Sequence, residues 1–335
     1  MKEKTASLSI LRVLACFGVV LLHCAYGAVS PYAESSRQYI MAMSLRNCVM
    51  CSVPIFVMVS GALLLQPGRE MSLSKIFKKY ILRMVWTLLI FSALFYAFDL
   101  ALGTDKTPFE ALLSVYTGEG WAHLWYLYLM IGIYLLLPFY RMIAKNSSKT
   151  ELVYLLLVYF VFLSLIPLVN SATASKAGFY ICTYTVYPLY FFLGYALREK
   201  IIKIKLWLSL VLIVLGSGLV VLSSEYAYGY NVPALKSLLS SYAFLPVVMQ
   251  AVGVFSLIDK LEMREGKVLR FLDRNSFGIY LVHMAFLKYL FVAVGFDPMA
   301  KGGMLALLLL SVLVFVLSTI CTLLLRQIPL IKKIL

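Results

Sequence analysis

No stretch of this 335-residue chain is polar enough, for long enough, to fold as a water-soluble domain. Only 13% of its residues are charged and 62% are hydrophobic, with a mean hydropathy of +0.92. Soluble globular proteins lie nearer a quarter charged and half apolar. Acidic residues are scarce, 15 against 30 Lys and Arg, and there are three histidines. Familiar enzyme motifs are missing too. The chain has no GxxxxGK[ST], no HExxH, no GxSxG and no GxGxxG after a strand, which removes the nucleotide-loop, zinc-protease, hydrolase and dinucleotide readings. His23, His123 and His283 have no ligand spacing between them, so no metal is expected. A cleavable signal peptide is not expected. The first apolar run is too long, lacks a small-residue cleavage site and holds Arg12 and His23. Cys48 and Cys51 form a lone CxxC without a redox-fold pattern, and the six cysteines read mostly as small buried hydrophobes. Ile328 to Leu335 follow the last apolar run directly, so residues 1–335 are expected to be one membrane-embedded domain with no soluble domain.

Ten apolar runs of about the length a bilayer requires are present. They cover 7–28, 47–66, 80–102, 123–143, 152–170, 179–197, 204–223, 237–258, 276–296 and 303–325. The runs are continuous rather than alternating, and only helices or closed barrels satisfy the backbone in lipid. They predict an all-α polytopic bundle of about ten transmembrane helices. Lys and Arg in the connections set the orientation. With the N-terminus in the cytoplasm, 22 of the 30 fall in inside segments and 6 outside. Both termini are therefore expected to be cytoplasmic, in a multi-pass protein of the plasma membrane. The formal charge of +15 then serves topology and meets an anionic inner leaflet. Nucleic acid is not expected as a partner.

The most informative run is Ser7 to Tyr26, SLSILRVLACFGVVLLHCAY. Eleven positions make three helical turns, so Arg12 and His23 share one face about 16 Å apart. Ionisable groups inside a span usually face protein or a wet cavity, which makes this face a candidate active-site wall. The other open reading is a snorkelling Arg12 with a hydrogen-bonded core His23. Further on, Pro54 is expected to kink the second helix, and Ser60 and Gly61 to allow close helix contact. Ser72 to Arg83 reads as an amphipathic lead-in to the third helix. Asp99 to Gly120 reads as a long acidic outer loop. Trp121, Trp125, Tyr126 and Tyr128 read as an interfacial belt or a stacking platform for glycans or headgroups, with His123 as an exposed headgroup contact. Tyr180, Tyr184, Tyr187 and Tyr190 form a packing stripe. Lys260 to Arg274 reads as a solvated, partly helical linker. Asn275 or Ser276 is expected to cap the ninth helix, and His283 to be a satisfied core histidine or a functional one.

A buried Arg/His face with a basic cytoplasmic side suits an elongated anionic donor. Its phosphates would meet Arg12, Arg83 and inner-loop lysines through charge-assisted hydrogen bonds. His23 would act as general base or be acylated itself. From residues alone, a transporter or flippase for a lipid or glycan precursor stays open, as does a non-catalytic scaffold. Inverted repeats with broken helices would mark the transporter, and none is convincing.

Several motifs in fixed order carry a resemblance. They are R-x10-H at Arg12 and His23, VPIFVMVSG at Val53 to Gly61, and the basic stretch ending in Arg83. HLWYLYLMIGIYLLLP from His123 to Pro138 and RNSFGIYLVH from Arg274 to His283 complete the set. Together they resemble the acyltransferase-3 family of integral membrane O-acyltransferases over nearly the whole chain. The resemblance implies acyl-CoA, usually acetyl-CoA, as donor substrate. It implies O-acetyl transfer to a hydroxyl of a cell-surface glycan, lipid-linked sugar or similar acceptor. It also implies a catalytic His23, with Arg12 and Arg83 at the donor site. Many members pair two arginines at the start of helix three, where Lys79 and Arg83 stand here. Lys and Arg are not equivalent toward phosphate. The acidic pair that many members carry in the fourth-helix region is missing from WYLYLMIGIY. That places the chain nearer the branch acting on surface polysaccharides and lipid-linked sugars, and it leaves His23 without an identified acid/base partner. The membrane part of certain bacterial serine racemases is similar, but no racemase or esterase-like domain is expected here.

Overall fold

The computed structural model describes residues 3–173, 185–261 and 263–335. Among the described residues 81% are helical and no strand occurs. The helices are α1 (Glu3–Gly27), α2 (Arg37–Cys48), α3 (Ser52–Leu64), α4 (Leu73–Lys75), α5 (Leu82–Ala101), α6 (Pro108–Thr117), α7 (Trp125–Asn146) and α8 (Lys149–Phe160). They continue as α9 (Ile166–Thr173), α10 (Tyr187–Arg198), α11 (Leu206–Gly229), α12 (Pro233–Leu239), α13 (Leu245–Lys260), α14 (Lys267–Lys288), α15 (Pro298–Leu325) and α16 (Pro329–Ile334). Wide π-helical turns at Ile76–Ile81, Val161–Leu165 and Tyr289–Ala293 join or extend neighbouring helices.

Among the described residues, eight helical segments are long and apolar enough to cross a membrane. The two other expected spans differ in form. The run 179–197 lies partly outside the described residues, with Tyr180, Cys182 and Tyr184, and its described part is the 12-residue α10. The run 237–258 is broken between α12 and α13, where Pro246 opens the second helix. The 16 residues of α13 reach about 24 Å, short of the roughly 30 Å hydrocarbon thickness.

The first two segments form the centre of the bundle. In their most apolar windows 67% and 72% of residues are buried, against 17% for Lys149–Thr173 and Leu206–Gly229, which form the periphery. There the outward side chains are apolar, including Val214 and Leu222, as are Leu305 and Leu309 on α15, as lipid contact requires. Helix α1 packs against α2, α3, α13, α14 and α15. The expected close contact at Gly61 is present: a Cβ there would lie 1.8 Å from the Phe191 carbonyl oxygen. Its counterpart on α10 is Gly194, where a Cβ would lie 1.9 Å from the Met58 carbonyl oxygen. Two backbones thus cross where neither helix has a side chain.

Several local expectations are corrected. The second segment starts at Arg37, ten residues before the expected run. Its interruption is the turn at 49–51, and Pro54 sits harmlessly in the first turn of α3. A Pro near a helix start loses no intrahelical bond. The acidic stretch Asp99 to Gly120 is not simply a loop, because it contains α6. Thr107 and Glu110 close a reciprocal capping box, Pro108 opens the helix, and Gly118 ends it at φ 75°. Asn275 and Ser276 are not caps. They lie inside α14, which begins at Lys267 after Gly266. Asn275 instead donates to the Phe271 carbonyl, and Ser276 to that of Asp273.

Candidate functional site

Helix α1 carries Arg12 and His23 along one line, and α14 lies beside it in the same direction. Arg12 faces Asp273, with Nε 3.0 Å from Oδ1. Eleven residues further along α1, His23 meets His283, ten residues beyond Asp273, with Nδ1 of His23 3.0 Å from Nε2 of His283. The two helices therefore keep step over about 15 Å. Of the two readings of this face, the snorkelling arginine is set aside. Arg12 is paired, its side chain is 35% exposed, and its partner is 13% exposed.

A cavity of about 320 Å3 is lined by Arg12, Arg83, Arg274, Asp273 and His23, with aromatic walls from Tyr126, Tyr134 and Phe277. Arg83 donates to the carbonyls of Ile334 and Leu335 at 2.9 and 3.0 Å, and its guanidinium lies 5.6 Å from the Phe277 ring centre. Leu335 lines the cavity as well. Lys79 is exposed and is not among the lining residues. A second, wider cavity of about 770 Å3 also includes His23, together with Tyr26, Gly27, Asp99, Lys106, Trp121 and Lys288. On α1 the first cavity takes residues before His23, and the second takes residues after it. His23 is thus common to both.

The wider cavity contains an organised polar group. Lys288 Nζ is 2.7 Å from Asp99 Oδ1, and Trp121 donates through its indole N–H to Asp99 Oδ2 at 3.0 Å. Phe95 stacks on Trp121 at 4.2 Å, and Lys288 sits 5.0 Å from the same ring centre. The aromatic cluster is therefore no lipid-facing belt. Trp121 and its neighbours Trp125 and Tyr126 line cavities, and Trp121 is held by contacts that a free stacking platform would not have.

His123 is a clear correction. It is 1% exposed, not interfacial. Its Nε2 is 2.9 Å from the Leu281 carbonyl oxygen, its own carbonyl accepts from the Tyr280 hydroxyl, and its ring lies 5.4 Å from that of His283. All three histidines therefore gather beside the last two turns of α1, His23 and His123 each against the His283 ring. Among the described residues no group of three or more His, Cys, Asp and Glu is arranged to hold a metal. Asp273 also leaves the linker it was read into. It binds Ser9 through Oδ2 at 2.9 Å besides facing Arg12.

Sequence reasoning missed Asp273, Arg274 and the Asp99–Lys288 pair as site components, and it left His283 open between a core and a functional role. One signal was available: D-x9-H on α14 nearly repeats the spacing of R-x10-H on α1.

A helical membrane protein with a half-buried histidine shared by two cavities, one of them rich in arginine, is the class defined by this arrangement. The acyltransferase domain model of the acyltransferase-3 family matches residues 5–326, and the chain belongs to that family. No curated protein and no solved structure matches it. It is a membrane acyltransferase.

Proposed function

We propose that the protein moves an acyl group, acetyl above all, from cytoplasmic acyl-CoA to a hydroxyl of a cell-surface glycan, lipid-linked sugar or similar acceptor. The observation that carries this reading is His23, lining both a cavity with three arginines and a wider one behind it. Arg12, Arg83 and Arg274 would meet the donor's phosphates, each through N–H groups fixed in a plane. Lys79, one turn before Arg83 and exposed, would add charge at longer range. The uneven distribution of Lys and Arg supports placing the arginine-rich cavity on the cytoplasmic side. The acceptor then enters the wider cavity, where Asp99 and Lys288 offer hydrogen bonds of both kinds.

In the direct route, His23 takes the proton of the acceptor hydroxyl while its oxygen attacks the thioester carbonyl. The new C–O bond forms, the C–S bond breaks, and the thiolate leaves with the proton returned by His23. In the two-step route the His23 nitrogen bonds to the acyl carbon as the C–S bond breaks and the thiolate leaves; the acceptor oxygen then displaces that nitrogen, and the hydroxyl proton passes to the thiolate. Both routes require an unprotonated ring nitrogen.

The test is acyl transfer by purified protein in lipid vesicles supplied with labelled acetyl-CoA and sugar acceptors. Mass spectrometry of surface glycans from deletion and parent cells accompanies it. A missing acetyl mass in the deletion strain supports the reading. Uptake of a lipid-linked sugar without any acyl-CoA requirement overturns it in favour of transport. Arg12→Ala and Arg83→Ala are expected to raise KM for acyl-CoA about 10-fold or more, since a charge-assisted hydrogen bond is worth ~1.5–3 kcal/mol. Unchanged donor affinity in both variants removes these residues from the donor site.

A further inference from the structure

We propose that His283 is a positioning residue that sets the tautomer of His23, keeping its proton on Nδ1 and leaving the lone pair on Nε2 for the reaction. This rests on the acyltransferase reading of His23 and goes beyond it by naming the group that prepares the histidine. His283 Nδ1 lies 2.6 Å from the Tyr280 carbonyl oxygen. A carbonyl can only accept, so that nitrogen carries the proton. His283 is 0% exposed, and the partners of its two ring nitrogens are the carbonyl and the His23 ring, neither of them an anion. An imidazolium there would be a buried charge without a counter-ion, which is costly. The neutral ring with hydrogen on Nδ1 has a bare Nε2, which can only accept.

At 3.0 Å the donor facing that nitrogen is Nδ1–H of His23. A neutral imidazole has one proton, so Nε2 of His23 is left unprotonated. Which ring nitrogen of a histidine is protonated is set by the bond the other makes. The pairing also acts in the transition state. As Nε2 of His23 gains a proton or an acyl carbon, the ring becomes cationic, and its Nδ1–H bond to His283 becomes charge-assisted. Such bonds are about twice as strong as neutral ones, and only interactions that strengthen on the way to the transition state raise kcat. His283 touches neither substrate in this scheme.

Two measurements test the proposal. In protein labelled with 15N at the histidine rings, NMR of the parent is expected to show His23 protonated on Nδ1, with population moving to Nε2–H in His283→Leu. In kinetics, His283→Leu is expected to lower kcat about 10- to 100-fold with KM for acyl-CoA changed less than about 2-fold. His283→Gln, whose amide oxygen can accept in place of Nε2, is expected to recover to within about 5-fold of the parent. Nε2–H on His23 in the parent overturns the proposal. So does parent-like kcat in His283→Leu, or a glutamine variant no better than leucine at equal melting temperature. Should the leucine variant fail to fold, the glutamine variant and the parent spectrum decide. The underlying reading fails separately, through an active His23→Ala enzyme, and that result leaves the tautomer measurement standing on its own.

Discussion

Purified His23→Ala protein is expected to lose acyl transfer by about 10²–10⁴-fold, the usual contribution of a positioned acid/base group. It should keep the parent's melting temperature within a few degrees. The ring is only half-buried, and it borders two cavities instead of filling a packed one. Its removal therefore enlarges space that already exists, which costs less than creating a closed void. The same variant should bind acyl-CoA nearly as well as the parent, because the arginines that would hold the phosphates stand elsewhere: Arg12 about 16 Å away along α1, Arg83 on α5 and Arg274 on α14. Donor binding is read by equilibrium titration and transfer by label appearing in the acceptor. Full transfer in the folded variant would remove His23 from the chemistry.

The second large effect is structural. Gly61→Val is expected to lower the melting temperature sharply and to abolish activity. Its Cβ alone would sit 1.8 Å from the Phe191 carbonyl oxygen, a backbone atom that cannot rotate away. Overpacking typically costs ~1–3 kcal/mol and more where the backbone has to move. Helix α3 also brings Val53, Phe56 and Ser60 to the arginine-lined cavity. Displacement by about 1 Å at a reacting site can cost around 100-fold in rate. Gly194→Val should behave alike, since its Cβ would meet the Met58 carbonyl from the other helix. Gly218→Ala is the control. Nothing lies within 4 Å of a Cβ there, and alanine in a helix interior is favoured by roughly 0.5–1 kcal/mol over glycine. Thermal unfolding in detergent, followed by light scattering, separates the three. A Gly61→Val protein as stable as the parent would mean that α3 and α10 do not cross where described.

These expectations show which parts of the molecule could be read from its residues. The helical class follows from solvent physics, because apolar runs of bilayer length leave the backbone few choices. The shared face of Arg12 and His23 follows from the helical period alone. Neither argument extends to partners far away in the chain. His283 is 260 residues from His23, and nothing in RNSFGIYLVH says which helix it faces. Asp273 was hidden for a related reason. Set among Lys267, Arg270 and Arg274 it looked like an ordinary solvated charge, yet the first turns of α14 deliver it to Arg12. His123 was misplaced because its flanking tryptophans are also what a membrane interface displays. By contrast, α6 was legible in principle: a Thr, a Pro and a Glu at capping-box spacing stand at its start, and a Gly stands just past its end. The acidic composition of the stretch masked that signal.

One imidazole borders both chambers, so under the proposed acyl transfer the cargo would change compartments without its carriers doing so. Taking even one ion into an environment as apolar as the bilayer interior costs of order 20 kcal/mol by the Born estimate, and a coenzyme bears several phosphate charges. An acetyl unit bears none. On the proposed reading the ring would work as an airlock for a few uncharged atoms, and the permeability barrier of the membrane would stay intact while they passed.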